Sequence, residues 1–137
     1  MFNGSKILIT GGSGKIGSRL AIEFAGQGAD VVICYNKSRG GAKRISSLFA
    51  GMIKADCAKI PSIKKAVLKA AMILGGIDIL INSAGIFSKT PILKTTPKEF
   101  DSFMDVNLRA PYFFIKFALP FLCKSKIGRI VKTGVQT

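Results

Sequence analysis

The sequence predicts an α/β fold, a doubly wound parallel sheet of about five strands in the order 3-2-1-4-5. Three observations predict it. Short β-branched runs alternate along the chain with longer segments of helical periodicity. The apolar runs show little alternation, as in strands buried on both faces. A glycine-rich turn follows the first run. Strands joined by crossover helices run parallel, so these elements form one sheet with right-handed connections.

The first half of the chain contains three predicted strands. The predicted elements are, in order, a strand at Lys6–Thr10, a helix at 16–27 closed by Gly28, a strand at Asp30–Tyr35, a helix at 42–49, a strand at 51–55 and a helix at 62–74. The last helix is amphipathic, because Ile63, Val67 and Leu74 fall on one face. The pair Gly75-Gly76 ends it.

The second half contains two more strands, at 77–81 and 128–133, around one long helix. Thr96 is placed to cap that helix, with Pro97 at its first position and Glu99 at the capping-box position. The helix is predicted to run to about residue 124. No linker or repeat interrupts the 137 residues, so residues 1–137 are predicted to form a single domain.

The chain carries a formal net charge of +14. One interpretation is a basic nucleic-acid-binding protein, because such a charge attracts polyanions. The other is a lysine-rich solvated surface, since Lys and Arg are scattered through the helical segments without interleaved aromatic residues. The scatter favours the second interpretation, and no nucleic-acid partner is expected.

Composition argues against several other classes of protein. The chain has no His, which argues against His-based catalysis and a zinc centre, and no metal site is predicted. Three widely spaced cysteines without a signal peptide do not suggest a disulfide framework. No stretch approaches the roughly 20 apolar residues of a membrane span, so no membrane partner is expected and the predicted location is cytoplasmic.

The turn after the first strand predicts a phosphate-binding loop. A glycine-rich turn between a strand and a helix lets backbone N–H groups and the helix dipole bind a pyrophosphate, as in Rossmann-type domains. A tight turn without a ligand is the alternative. The candidate binding residues are Gly11, Ser13, Lys15, Ile16 and Gly17.

This loop resembles that of the short-chain dehydrogenase/reductase family, whose pattern is Thr-Gly-x-x-x-Gly-x-Gly. Thr10, Gly11 and Gly17 match the pattern, and Lys15 replaces its middle glycine. A basic residue there resembles the pteridine-reductase-like branch and would place a positive charge beside a phosphate. The resemblance extends along nearly the whole chain but covers only about the first half of the family's domain.

The end of the second strand bears on the choice between NAD and NADP. An NAD site needs a carboxylate here for the ribose 2′-hydroxyl. The chain has none, and instead offers Asn36, Lys37, Ser38 and Arg39, which suit a 2′-phosphate. NADP is therefore the predicted cofactor. A solvated polar turn is the alternative.

Two further segments resemble cofactor-binding parts of the family. One resembles the Asp that holds the adenine ring with the next backbone N–H, although Asp also favours a plain strand-end turn. The other resembles the Asn-Asn-Ala-Gly segment that packs the sheet and lines the nicotinamide ribose, with Ser at its second place. The residues assigned by this resemblance are Asp56, Cys57, Asn82, Ala84 and Gly85.

The resemblance implies four catalytic groups: a Tyr acid or base, a Lys that lowers its pKa, a Ser and an Asn. Asn107 matches the Asn, and the alternative is a polar residue that kinks the helix near Pro111. The family's Asn-Ile-Ser-Ser after the fifth strand reads here as Lys132, Thr133, Gly134 and Val135, so both Ser places lack a hydroxyl.

The family's Tyr-x-x-x-Lys pair lies after the fifth strand. The match in this chain, Tyr112 to Lys116, lies before that strand and is predicted not to be catalytic. The chain is thus expected to be a truncated domain of an NADP-dependent reductase, lacking the family's C-terminal strands, inactive alone and acting on a small carbonyl compound if completed. An exposed fifth strand predicts a homo-oligomer. A non-catalytic NADPH-binding module is the alternative, beside the nucleic-acid-binding protein.

Overall fold

In the computed structural model, which describes residues 1–37 and 46–134, five parallel strands form one sheet in the order β3-β2-β1-β4-β5. The strands are β1 Lys6–Thr10, β2 Asp30–Tyr35, β3 Gly51–Lys54, β4 Ile79–Asn82 and β5 Arg129–Lys132. The α-helices are α1 Lys15–Gly26, α2 Ile60–Leu74, α3 Pro97–Met104 and α4 Ala110–Leu122. The predicted fold class and strand order are confirmed.

Helices cover both faces of the sheet, which explains why its strands are apolar at consecutive positions. On one face α1 packs against a cluster that includes Ile7, Ile9, Ala21, Val31, Ile33, Ile79 and Ile81. On the other face α2 and α4 pack against a cluster that includes Leu8, Val32, Val67, Leu80 and Phe114. Parallel register aligns the strands at one edge, with Thr10 beside Asn82 and Asn82 beside Lys132.

The predicted helix from Thr96 to about residue 124 is present as one continuous helical run over residues 97–122, but it is not α-helical throughout. Thr96 caps α3 through the predicted capping box, but α3 ends at Met104. A π-helical turn, Asp105–Arg109, separates it from α4. The wide turn lies where the Asn107 side chain is bonded to the backbone of Ile86. A side-chain interaction distant in sequence therefore accompanies the π-helical turn, and local periodicity does not reveal it.

Other predicted ends shift by one or two residues, the usual uncertainty of helix and strand boundaries. The fourth strand begins at Ile79 because Asp78 forms a bend, where its carboxylate accepts the Lys6 N–H at 2.8 Å and the Ser125 hydroxyl at 2.6 Å. Half of the helix predicted at 42–49, residues 42–45, lies outside the described residues. Its described part forms a 3₁₀ turn, Ser46–Leu48.

Within the described ranges, no helix is both long and apolar enough to cross a bilayer. The same part of the chain contains no group of three or more His, Cys, Asp or Glu placed to hold a metal ion. Its three cysteines are free thiols, with Cys34 buried and Cys123 exposed.

Candidate functional site

Two adjoining clefts lie along the carboxyl edge of the sheet. The small cleft, of about 250 Å³, lies between the glycine loop and the ends of β4 and β5. The large cleft, of about 710 Å³, extends past the ends of β2 and β3. Both are lined by Gly11, Gly14, Ser83, Ala84 and Gly85. Since the order of strands reverses between β1 and β4, this is the switch point where open α/β sheets bind ligands.

The glycine loop brings two stretches of backbone closer than any side chain permits. Gly11 has a φ of +65°, and a Cβ on it would lie 2.7 Å from the Cα of Ala84. A Cβ on Gly17 would overlap the carbonyl oxygen of Gly11. Gly14 precedes α1 without a side-chain cap, so the first N–H groups of the helix are open to the cleft. Such N–H groups bind anions.

Thr10 supports Ser83 and Ala84, which line both clefts. Its side chain is buried, and its Oγ1 accepts the N–H of Ser83 at 3.2 Å and the N–H of Ala84 at 3.1 Å. These bonds tie the end of β1 to the segment that follows β4. The sequence analysis matched Thr10 to the glycine-loop pattern but did not predict these hydrogen bonds, because they depend on which strand pairs with β1.

The large cleft gathers the predicted residues that follow β2 and β3. Asn36 and Lys37 line it from the end of β2, and Asp56 and Cys57 line it from the end of β3. Ser38 lies outside the described residues. The Asp56 carboxylate accepts the backbone N–H of Ala58 at 3.0 Å and lies 3.6 Å from the ammonium of Lys59. Local bonds thus orient this carboxylate at the strand end.

The cysteine thiols of the large cleft are held in their protonated form. Burial raises the pKa of the Cys57 thiol to about 11, and the neighbouring Asp56 carboxylate adds to the effect. Burial raises the pKa of Cys34 to about 12, with a smaller effect from Cys57. Neither thiol is therefore an activated nucleophile.

Two predicted residues do not line either cleft. Asn82 is buried, and within the described residues neither atom of its side-chain amide, Nδ2 or Oδ1, has a hydrogen-bond partner. Asn107 is bonded through its side chain to Ile86, which does line the large cleft. The cleft also reaches Ser102 on α3 and Asp105 and Val106 in the π-helical turn, which the sequence analysis did not single out.

The end of β5 faces the small cleft with Lys132, Thr133 and Gly134, while Val135 lies outside the described residues. Tyr112 is exposed on α4, and the ammonium of Lys116 lies 5.7 Å from the centre of the Phe113 ring. Neither member of this Tyr–Lys pair lines either cleft. Among the described residues, the tyrosine that lines the large cleft is Tyr35, at the end of β2.

Known proteins share this architecture. A short-chain dehydrogenase from Burkholderia cenocepacia, solved in complex with NADP, is 37% identical with a TM-score of 0.91, and the match covers 97% of this chain and 56% of that one. A blue fluorescent protein from a metagenomic library, solved in complex with NADPH, is 32% identical with a TM-score of 0.82, and the match covers 97% and 56%. The mouse (Mus musculus) hydroxysteroid dehydrogenase-like protein 2 is 35% identical over 140 residues.

The chain spans 29% of the length of that mouse relative and 56% of the two solved chains. The model of the short chain dehydrogenase family matches residues 5–137. On this match, the chain belongs to the short chain dehydrogenase family.

Proposed function

We propose that the groove at the carboxyl edge of the sheet binds NADP(H), in preference to NAD(H). The observation that carries the proposal is the end of β2, where residues 35–37 contain no carboxylate and Lys37 lines the large cleft. An acid here would accept a ribose hydroxyl and repel a 2′-phosphate, whereas an ammonium attracts the phosphate. The NADP and NADPH complexes of the related structures support this choice.

The groove fits a dinucleotide along its length. The cradle that Gly11 and Gly17 leave open admits a pyrophosphate against the uncapped start of α1, and Lys15 adds a cation. Asp56 suits the adenine ring at the far end of the groove. The backbone at Ala84 and Gly85 suits the nicotinamide ribose.

The reaction class that we propose is the reduction of a small carbonyl compound or the reverse oxidation of an alcohol. NADPH, when bound, supplies the hydride. The described residues position the nucleotide, and Asn107 holds the cleft wall through Ile86. Gly134 offers no hydroxyl to a substrate, and Tyr112 and Lys116 line neither cleft, so we propose that these 137 residues alone bind NADPH without turnover.

A fluorescence titration with NADPH and NADH tests the proposal. We expect NADPH to bind at least about tenfold more tightly, which corresponds to about 1.4 kcal/mol. Lys37→Gln should weaken the binding of NADPH and leave the affinity for NADH unchanged, because only NADPH carries the 2′-phosphate. Lys98→Gln, an equal loss of charge on α3, is the control and should change neither. Equal affinities for the two nucleotides, or no binding of NADPH, would contradict the proposal.

A further inference from the structure

The small cleft carries positive charge without any compensating acid. Its charged lining residues are Lys15, the first residue of α1, and Lys132, the last residue of β5. No Asp or Glu is among the residues that line it. Two cations therefore reach the same concave surface from different elements, next to the open N–H groups at the start of α1.

Lys132 keeps hydrogen-bonding capacity for a ligand. Its Nζ donates to the Thr133 carbonyl oxygen at 2.9 Å, and an ammonium has three N–H donors. In the described ranges, the ion pairs are Arg19 with Glu23, Lys59 with Asp56 and Arg109 with Asp105, so none of them involves Lys132. Two donors on Lys132 are thus available beside the cleft.

The position of Lys132 is held by the sheet. It lies in register with the buried Asn82, whose own neighbour on the other side is Thr10. Thr133 continues this connection, since its N–H donates to the Asn82 carbonyl oxygen at 3.1 Å. The strand end is therefore fixed relative to the glycine loop, and only the flexible end of the lysine side chain needs to move toward a ligand.

We propose that Lys132 binds the pyrophosphate of the nucleotide together with Lys15. This inference rests on the proposed NADP(H) site and adds to it a residue that stands where the family pattern has Asn. A pyrophosphate bridge bears two negative charges, which matches two ammonium groups in a cleft without acids. A ligand with one carboxylate would satisfy only one of them.

The test measures binding, by titrating NADPH, NADH and inorganic pyrophosphate into the full chain and its variants. Lys132→Gln should weaken the binding of all three ligands by the same factor, about fivefold, because each ligand contains a pyrophosphate group. Lys132→Arg should restore the affinities. Lys126→Gln removes an equal charge near the other end of β5 and should leave them unchanged. Lys37→Gln should weaken the binding of NADPH alone, which separates the site of the 2′-phosphate from the site of the pyrophosphate.

Each outcome separates this inference from the proposed function. If NADPH binds the unaltered chain and Lys132→Gln leaves its affinity unchanged, the role of Lys132 is overturned while the NADP(H) site stands. If Lys132→Gln weakens NADPH but neither NADH nor pyrophosphate, Lys132 serves the 2′-phosphate and the inference is again overturned. If NADPH does not bind at all, the proposed function fails, and the pyrophosphate titration still decides whether Lys132 holds this anion.

Discussion

Asn107 and Ile86 are joined by a pair of hydrogen bonds between side chain and backbone. The Asn107 Nδ2 donates to the Ile86 carbonyl oxygen at 2.8 Å, and the Ile86 N–H donates to the Asn107 Oδ1 at 2.9 Å. The first residue lies in the π-helical turn and the second lies in the wall of the large cleft. This pairing connects the long helical segment to the segment that follows β4.

Replacing Asn107 with Ala removes both bonds and leaves the Ile86 amide and carbonyl to solvent. We expect the free energy of unfolding to fall by about 1 to 2 kcal/mol. The affinity for NADPH should fall as well, since Ile86 lines the cleft. Asn107→Asp keeps an acceptor for the Ile86 N–H but sets a carboxylate oxygen against the Ile86 carbonyl oxygen, so this variant should lose stability as well. Urea denaturation and nucleotide titration measure the two effects, and an unchanged stability in Asn107→Ala would contradict the role.

Gly17→Ala should damage the glycine loop, because the new Cβ would overlap the Gly11 carbonyl oxygen. We expect a loss of stability of about 1 to 3 kcal/mol and a loss of nucleotide binding. Gly26→Ala, on the same helix, is the matched control, because nothing lies within 4 Å of its added Cβ. That variant should keep nucleotide binding and gain up to about 1 kcal/mol. Nucleotide binding by Gly17→Ala equal to that of Gly26→Ala would refute the close approach.

The raised pKa of Cys57, about 11, predicts how the thiol reacts with an alkylating reagent. Because only the thiolate reacts, alkylation of Cys57 should be slow at neutral pH and accelerate as the pH rises toward 11. NADPH should protect Cys57, which lines the large cleft, and should not protect the exposed Cys123. Mass spectrometry of labelled peptides measures both sites at once. Equal protection of the two thiols would argue against a nucleotide in the large cleft.

The outer edge of the sheet predicts self-association. In β5, Ile130 and Val131 are 45% and 43% exposed. An exposed apolar edge strand pairs readily with other chains. We expect sedimentation equilibrium to show oligomers that grow with concentration. Val131→Lys should reduce them, while Leu48→Lys, at an exposed position away from β5, should not. A monomer at all concentrations would refute this prediction.

The sheet order was predictable because each strand is a short apolar run and each crossover is helical, which leaves few topologies open. The glycine loop was predictable for a similar local reason. The role of Thr10 and the proposed role of Lys132 were not, because both depend on which strands become neighbours. Thr10 forms hydrogen bonds with Ser83 and Ala84, which are 73 and 74 positions away along the chain.

The π-helical turn shows the same dependence on distant contacts. The segment around Asn107 has the periodicity of an uninterrupted helix, and Pro111 falls in the first turn of α4, where proline is tolerated. The Asn107 bonds to Ile86 span 21 residues of sequence, so the pattern within the helix carries no trace of them. The sequence therefore indicated Asn107 and, as an alternative, a helix kink beside it, but not the π-helical turn or its contact with Ile86.

The measurement that tests the NADP(H) site most directly is thermal unfolding of the chain alone, with NADPH and with NADH. NADPH at about 100 times its dissociation constant should add about 2.7 kcal/mol of stability. That gain raises the melting temperature by several degrees, at roughly 2 to 8 °C per kcal/mol. We expect a clear rise in melting temperature with NADPH and a smaller one with NADH at equal concentration. A cooperative melt that NADPH does not move, or that NADH moves equally, would contradict it.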